Sequence, residues 1–200
     1  MFIDSYYFVG EINIPNIDKN ATALAQTIGQ YEKEILIHLL GYKLYSLLMA
    51  DCTNGEPEGQ IYKDLVDGAE FTIPESDVMV RWEGLRNAEK QSLIAYYCFY
   101  KYVERDVTHL SGTGVIMTPS GKGNRASSVN KMCNAWERMR VLYGIIPPNF
   151  KPFFQNPVKG GSLPCTFNYE ASAYNFLFAN RSNYPDWIFT PQWNINAFGI

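Results

Sequence analysis

One stretch of the sequence, residues 109–128, combines residue types that can bind phosphate. It reads HLSGTGVIMTPSGKGNRASS, with closely spaced glycines beside Lys122 and Arg125. A P-loop needs the pattern G-x-x-x-x-G-K-[ST], in which backbone N–H groups surround the phosphates and a hydroxyl binds magnesium. Ile116 occupies the first glycine position and Gly123 the hydroxyl position, so nucleotide binding is not predicted. The stretch is then either a projecting hairpin or a plain connector, and it is longer than most helix connections.

Residue types that support catalysis or metal binding are present, but not at catalytic spacing. His38 and His109 form no HxxxH or HExxH pair, and the four cysteines are far apart with no CxxC, so no zinc site is predicted. The chain has no G-x-S-x-G motif, and Glu32 and Glu34 point to different sides of a helix. The sequence therefore predicts no enzyme, no metal and no cofactor.

Charge is distributed unevenly along the chain. Residues 1–80 carry 13 acidic and 4 basic side chains, a net charge of −9, whereas residues 119–144 have a net charge of +4. One end or face is therefore expected to be positive, or else Arg138 and Arg140 are ordinary solvated helix positions. The N-terminus has no signal-peptide pattern, and no apolar run reaches the roughly 18 residues that span a bilayer. We expect a cytoplasmic protein with reduced thiols and no membrane contact.

The elements that position these residues are mainly helical. Apolar repeats at three to four residues predict helices at about 18–40, 42–50, 84–110 and 126–143. Two β-prone runs around a turn predict a hairpin at about 69–82. We expect a mainly α protein in which residues 1–144 form a four-helix core. The side chains predicted to lie at its centre are Leu93, Tyr97 and Trp136.

The last 56 residues differ from this core, with 13 aromatic and only 5 charged side chains. Seven prolines exclude long regular elements, so residues 145–200 are predicted to form an extended arm with one short helix at about 169–180. Such a surface is poorly suited to water. The arm must therefore be buried either against its own helical core or against another molecule, and its extended, aromatic character favours a partner surface. We predict that it contacts a neighbouring subunit or the portal through these aromatic residues: Phe153, Phe154, Tyr184, Trp187, Phe189, Trp193 and Phe198.

The order of several short motifs resembles a known family. They are YEKEILIHLLGYKLYSLL, DGAEFTI with VMVRWEGL, IAYYCFYKYVE, SGTGVIMT before NKMCNAWERM, and YNFLFAN with YPDWIF. This series resembles the head-to-tail connector, or adaptor, proteins of tailed phages of Bacteroides, including crAss-like phages. The resemblance implies a mainly helical adaptor that assembles as a ring, commonly a dodecamer, beneath the portal, with DNA passing through the lumen and no catalytic site.

If the chain is such an adaptor, as the resemblance implies, we expect Lys122, Arg125 and Lys131 to line the DNA passage and to contact the genome without reading its sequence. The partners it implies are further copies of the chain, the portal protein and neighbouring neck or tail proteins. The location it implies is the virion neck, with the host cytoplasm before assembly. The alternatives are a head-completion stopper, a tail terminator, or a DNA-binding regulator. The negative total charge and the lack of a helix-turn-helix pattern weigh against a regulator.

Overall fold

A computed structural model describes residues 1–14, 17–73, 78–87, 89–111, 114–117, 128–144 and 171–192. Within these residues the chain is mainly helical, with small antiparallel hairpins. Two short 3₁₀ helices, Ser5–Tyr7 and Gly10–Ile12, precede the first long helix. The α-helices are α1 (Ile17–Leu40), α2 (Tyr42–Asp51), α3 (Gln60–Asp67), α4 (Leu93–Val107), α5 (Ser128–Tyr143) and α6 (Ala173–Ala179). The strands are β1 (Cys52–Thr53), β2 (Glu56–Pro57), β3 (Ala69–Thr72), β4 (Met79–Trp82), β5 (Thr108–Ser111) and β6 (Gly114–Met117).

Helices are present at all four predicted places, and the bounds of α1, α2 and α5 agree with the prediction to within two residues. Helix α3 was not predicted, because its apolar repeat is only eight residues long. Its preceding residue, Gly59, has no side chain to cap the helix. Asp51, at the end of α2, accepts hydrogen bonds from the N–H groups of Glu58 and Gly59 at 3.0 and 2.8 Å and so fixes the turn that leads into α3.

The predicted helix at 84–110 was wrong at both ends, because α4 begins only at Leu93 and ends at Val107, where β5 follows directly. The preceding backbone is bonded to α3: Leu85 donates to the oxygen of Leu65, and Arg86 to that of Val66. Ser92 then provides the helix start, since its Oγ accepts a 3.1 Å hydrogen bond from the N–H of Ile94. The apolar repeat begins only at Leu93, and Gly84 and Lys90 have positive φ angles that a helix does not allow.

Two glycines allow the backbone around α3 and β4 to approach closely. Gly68 and Gly84 have φ angles of +95° and +92°. A Cβ at Gly68 would lie 2.3 Å from the oxygen of Trp82, and a Cβ at Gly84 would lie 2.5 Å from the oxygen of Val66. Only glycine fits such a contact in this conformation.

The core lies along α4, which packs between α1 and α5. The prediction for its centre is confirmed: Leu93, Tyr97 and Trp136 are each at most 6% exposed. The ring of Tyr97 contacts Tyr31 of α1 edge-on at 6.3 Å, and the ring of Tyr100 lies 4.8 Å from Trp136 of α5. Aromatic rings therefore join the three longest of the described helices.

Three hairpins connect helices in the described part of the chain. The predicted hairpin is present as β3 and β4, with Phe71 opposite Val80. A second, between β1 and β2, turns at Asn54-Gly55, where both residues have positive φ, as a two-residue hairpin requires. The third, β5 with β6, lies in the glycine-rich stretch at 109–128 and pairs Leu110 with Val115. The first part of that stretch is therefore a hairpin.

Helix α6 and the chain after it pack onto this helical body. Ser172 caps α6 by accepting a hydrogen bond from the N–H of Asn175 at 3.3 Å. The ring of Phe176 packs edge-on against Phe71 at 5.6 Å and stacks on Trp82 at 6.2 Å. The predicted short helix at 169–180 is thus confirmed over Ala173–Ala179 and packs on the β3–β4 hairpin.

Candidate functional site

The outer face of α5 carries Lys131, the described member of the three residues predicted to face DNA. Lys131 is exposed, as are Asn134 and Arg138, which follow at three and seven residues on the same side of the helix. No ion pair joins Lys131 to another described residue. Lys122 and Arg125 lie outside the described residues.

A groove runs between this face of α5 and the 3₁₀ helix Gly10–Ile12. It consists of two neighbouring cavities of about 350 Å³ each, both of which include Glu11 and Asn134 in their lining. Lys131 lines one cavity, and Arg138 with Glu137 lines the other. Glu11 therefore lies between the two cations of the groove.

The Glu11 carboxylate is held in this position from two sides. Its Oε1 accepts a hydrogen bond of 2.8 Å from the hydroxyl of Tyr96 on α4, and it lies 3.6 Å from Nε of Arg138 on α5. Tyr96 is buried and its ring cannot move freely. Burial, followed by the hydrogen bond to Glu11, raises the pKa of the Tyr96 phenol well above its usual value, so Tyr96 stays a neutral hydrogen-bond donor.

The remaining cation of α5 is not at the surface. Arg140 is buried, and its Nη1 lies 3.7 Å from Oε1 of Glu137. The interpretation of Arg140 as a solvated helix position is therefore wrong, whereas Arg138 is half exposed. Both arginines have a carboxylate nearby. Glu11 gave no signal in the sequence, because it lies more than a hundred residues before Arg138.

The structure corrects the role predicted for two aromatic residues of the arm. Tyr184 and Trp187 are only 1% and 3% exposed within the single chain, and Phe189 is half buried against its core. The hydroxyl of Tyr184 donates to the oxygen of Ile61 at 2.5 Å. Tyr184 and Trp187 therefore bury their rings within their own chain and not against a partner. The other predicted interface residues lie outside the described part of the chain: Phe153, Phe154, Trp193 and Phe198.

Residues 187–190 complete the end of α1. The indole N–H of Trp187 donates to the oxygen of Leu39 at 2.8 Å. Ile188 donates to the oxygen of Leu40 at 3.2 Å, and Thr190 to that of His38 at 2.9 Å. With Gly41 bonded to Ile37, the four last carbonyls of α1 all have partners. This segment is part of the body of the protein.

Apolar side chains are nevertheless exposed beside this segment. Tyr42 and Ile188 are 71% and 67% exposed. Ile188 lies against Gly41 at the bend between α1 and α2, since a Cβ on Gly41 would lie 3.0 Å from that of Ile188, and Tyr42 is the next residue in the chain. Other large apolar side chains exposed on the described surface are Met1, Tyr6, Val9, Leu47, Met49, Ile61, Val78, Met79 and Phe178.

A buried carboxylate fixes the N-terminal segment. Glu32 of α1 accepts hydrogen bonds from the N–H groups of Phe2 and Ile3 at 2.9 and 3.3 Å. The amino group of Met1 lies 3.8 Å from its other oxygen. Burial raises the pKa of Glu32 above its usual value, and the ammonium and the two N–H groups act against that shift. Glu32 thus keeps the segment that carries Glu11 attached to α1.

Among the described residues, no three or more His, Cys, Asp and Glu side chains are grouped to hold a metal ion. None of the helices in those ranges is both long and apolar enough to cross a membrane. The chain matches no protein-family model, no curated protein and no solved structure.

Proposed function

We propose that this chain is a structural virion protein that forms a ring in the head-to-tail connector of a tailed phage, beneath the portal and around the DNA passage. The observation that carries the proposal is the ordered series of motifs from YEKEILIHLL to YPDWIF. Much of the series falls on the folded body: the first motif covers the bend between α1 and α2, IAYYCFYKYVE lies in α4, and YPDWIF completes the end of α1.

The exposed apolar surface at the bend supports assembly with other subunits or with the portal. Tyr42, which follows Gly41, and Ile188, which lies against Gly41, both expose most of their area, and exposed apolar area favours contact with another molecule. Tyr184 and Trp187 are buried within their own chain. In the proposed ring, the apolar contact is therefore made by the bend between α1 and α2.

The outer face of α5 supports the proposed DNA passage. Lys131 projects into solvent without an ion pair to a described residue, and Lys122 and Arg125 precede it in the sequence. A few lysines and arginines give weak attraction to phosphates that does not depend on base sequence. Such attraction suits a channel through which a genome must slide.

The first test is mass measurement and negative-stain imaging of the purified protein, alone and with the portal protein of the phage that encodes it. We expect a discrete ring, at least with the portal. A double substitution, Tyr42→Ser with Ile188→Ser, should weaken the ring while the helical circular-dichroism signal stays unchanged. Tyr6→Ser, at another exposed tyrosine, is the matched control. A monomer under both conditions would overturn the proposal.

The second test concerns the DNA passage. Charge reversal at Lys122, Arg125 and Lys131 should leave the ring intact and reduce retention or ejection of the genome in assembled particles. Reversal at the exposed Lys33 of α1 is the control. Unchanged infectivity of the triple variant would remove these three residues from the DNA passage.

A further inference from the structure

The cations on the described face of α5 differ in how far their charge is compensated. Lys131 has no carboxylate paired with it among the described residues. Arg138, two turns further along, is half exposed but lies 3.6 Å from Glu11. A phosphate that approaches the groove therefore meets an ammonium with no ion pair to a described residue at one end and a guanidinium paired with Glu11 at the other.

Glu11 does not belong to α5, and its position depends on contacts with other parts of the chain. The neighbouring Ile12 is buried in the core, and the hydroxyl of Tyr96 donates to the same Glu11 oxygen that faces Arg138. A carboxylate on a freely moving side chain spends little time beside an exposed arginine. The Glu11 side chain is 45% exposed, but the hydrogen bond from the buried Tyr96 holds its carboxylate beside Arg138.

We propose that Glu11 limits the affinity of the α5 face for the phosphates of duplex DNA by occupying the guanidinium of Arg138. This inference rests on the proposed function, since it assigns to the DNA-facing surface a residue that weakens binding. Non-specific affinity for DNA depends on how many phosphates the protein neutralises, because each contact releases counterions. With Arg138 occupied, each subunit offers one cation fewer, and DNA is held more weakly.

The test measures binding of the full chain to a fluorescent duplex of about 30 base pairs over a series of salt concentrations. Glu11→Gln should bind more tightly than wild type, and its logarithmic salt dependence should be steeper by about 0.9 for each arginine released to a phosphate. Glu11→Asp, which keeps the charge, should resemble wild type. Glu70→Gln, at an exposed carboxylate on β3, is the control for the same change in net charge.

Two further variants separate this role from a structural one. Glu11→Gln combined with Arg138→Gln should return to the wild-type salt dependence, because the released cation is gone. Tyr96→Phe keeps both charges but frees the carboxylate, and should give an intermediate salt dependence. If Glu11→Gln and Glu70→Gln bind DNA equally, the inference is overturned although the ring can still form. Failure of the proposed function appears separately, as absence of a ring with the portal in every variant.

Discussion

The indole N–H of Trp187 donates a hydrogen bond of 2.8 Å to the backbone oxygen of Leu39, 148 residues earlier in the chain. This bond joins the segment after α6 to the end of α1 and lies in the buried interior. A buried carbonyl without a partner is costly. Trp187 therefore stabilises α1 through its nitrogen as well as through the area of its ring.

Replacing Trp187 by Phe keeps an aromatic ring but removes the donor to Leu39. We expect the free energy of unfolding to fall by about 1 to 3 kcal/mol, the cost of leaving a buried polar group unsatisfied, measured by urea denaturation. Ile188→Ala, at the exposed neighbour, should change it by no more than about 0.5 kcal/mol. Equal losses in the two variants would contradict the importance of this bond.

Deletion of residues 184–200 should destabilise the whole helical body, because three carbonyls of α1 lose their donors and the hydroxyl bond of Tyr184 to Ile61 is lost. The expected result is a clear drop in melting temperature and reduced helicity at 37 °C by circular dichroism. A truncated protein with the melting temperature of the full chain would show that this segment is only an attached arm.

Trp136 should be among the most sensitive positions of the core. It is nearly inaccessible and its ring contacts those of Tyr97 and Tyr100. Trp136→Ala should reduce the free energy of unfolding by about 3 to 5 kcal/mol, since rigid neighbouring helices cannot close the cavity. Urea unfolding measures this, with the exposed Tyr6→Ala as a control that should be close to neutral.

The long helices could be predicted from the sequence because each repeats apolar residues over several turns, as α4 does from Leu93 onward. The start of α4 could not, because it depends on hydrogen bonds between residues 85–86 and α3. The role of Tyr184 and Trp187 was misjudged for a similar reason. Aromatic density shows that a segment must be buried, but it does not show whether the covering surface belongs to the same chain.

Glu32 should make stability depend on pH in a defined direction. Because burial raises its pKa above the usual 4.5, the folded protein binds this proton more tightly than the unfolded chain. Its contribution is therefore complete below the unfolded-state pKa and is lost as the pH rises through the folded-state value. The difference in unfolding free energy between wild type and Glu32→Gln should decrease from acidic pH towards neutrality.

Urea unfolding of both proteins at several pH values measures that difference. The Phe2 and Ile3 N–H groups, the Met1 ammonium and Cys98 on α4 all lie close enough to influence Glu32, and they are unchanged in the variant. Glu70→Gln, at an exposed carboxylate, serves as the comparison. A difference for Glu32→Gln that is constant across the acidic range, or grows with pH, would contradict a raised pKa at Glu32.

Substitutions at Gly84 and Gly10 separate two costs of adding a side chain: the strain of a positive φ angle and the overlap with neighbouring atoms. Both have positive φ, but a Cβ at Gly84 would lie 2.5 Å from the oxygen of Val66, whereas nothing lies within 4 Å of one at Gly10. Gly10→Ala should cost about 1 to 2 kcal/mol, the strain of the left-handed conformation. Gly84→Ala should cost about 2 to 5 kcal/mol, because overlap with a backbone atom is added. Thermal unfolding of the two variants measures both losses of stability. Equal losses would show that the backbone around Gly84 moves to accommodate the added Cβ.

Only part of the candidate site could be predicted from the sequence. The positive segment around Lys131 is visible as a charge imbalance, since net charge adds along the chain. Glu11 is not visible, because its effect depends on a tyrosine of α4 and an arginine of α5 that only folding brings together. The charge of Arg138 is compensated because Glu11 lies 3.6 Å away in the folded chain, although the two residues are far apart in the sequence.

The completion of α1 by residues 187–190 also sets the order in which the protein can finish folding during synthesis. A ribosome produces α1 well before it produces these residues, so the carbonyls of His38, Leu39 and Leu40 lack their partners until nearly all of the described chain has emerged. Such late, distant contacts slow folding. A chain interrupted before this segment therefore leaves the last carbonyls of α1 to be solvated by water.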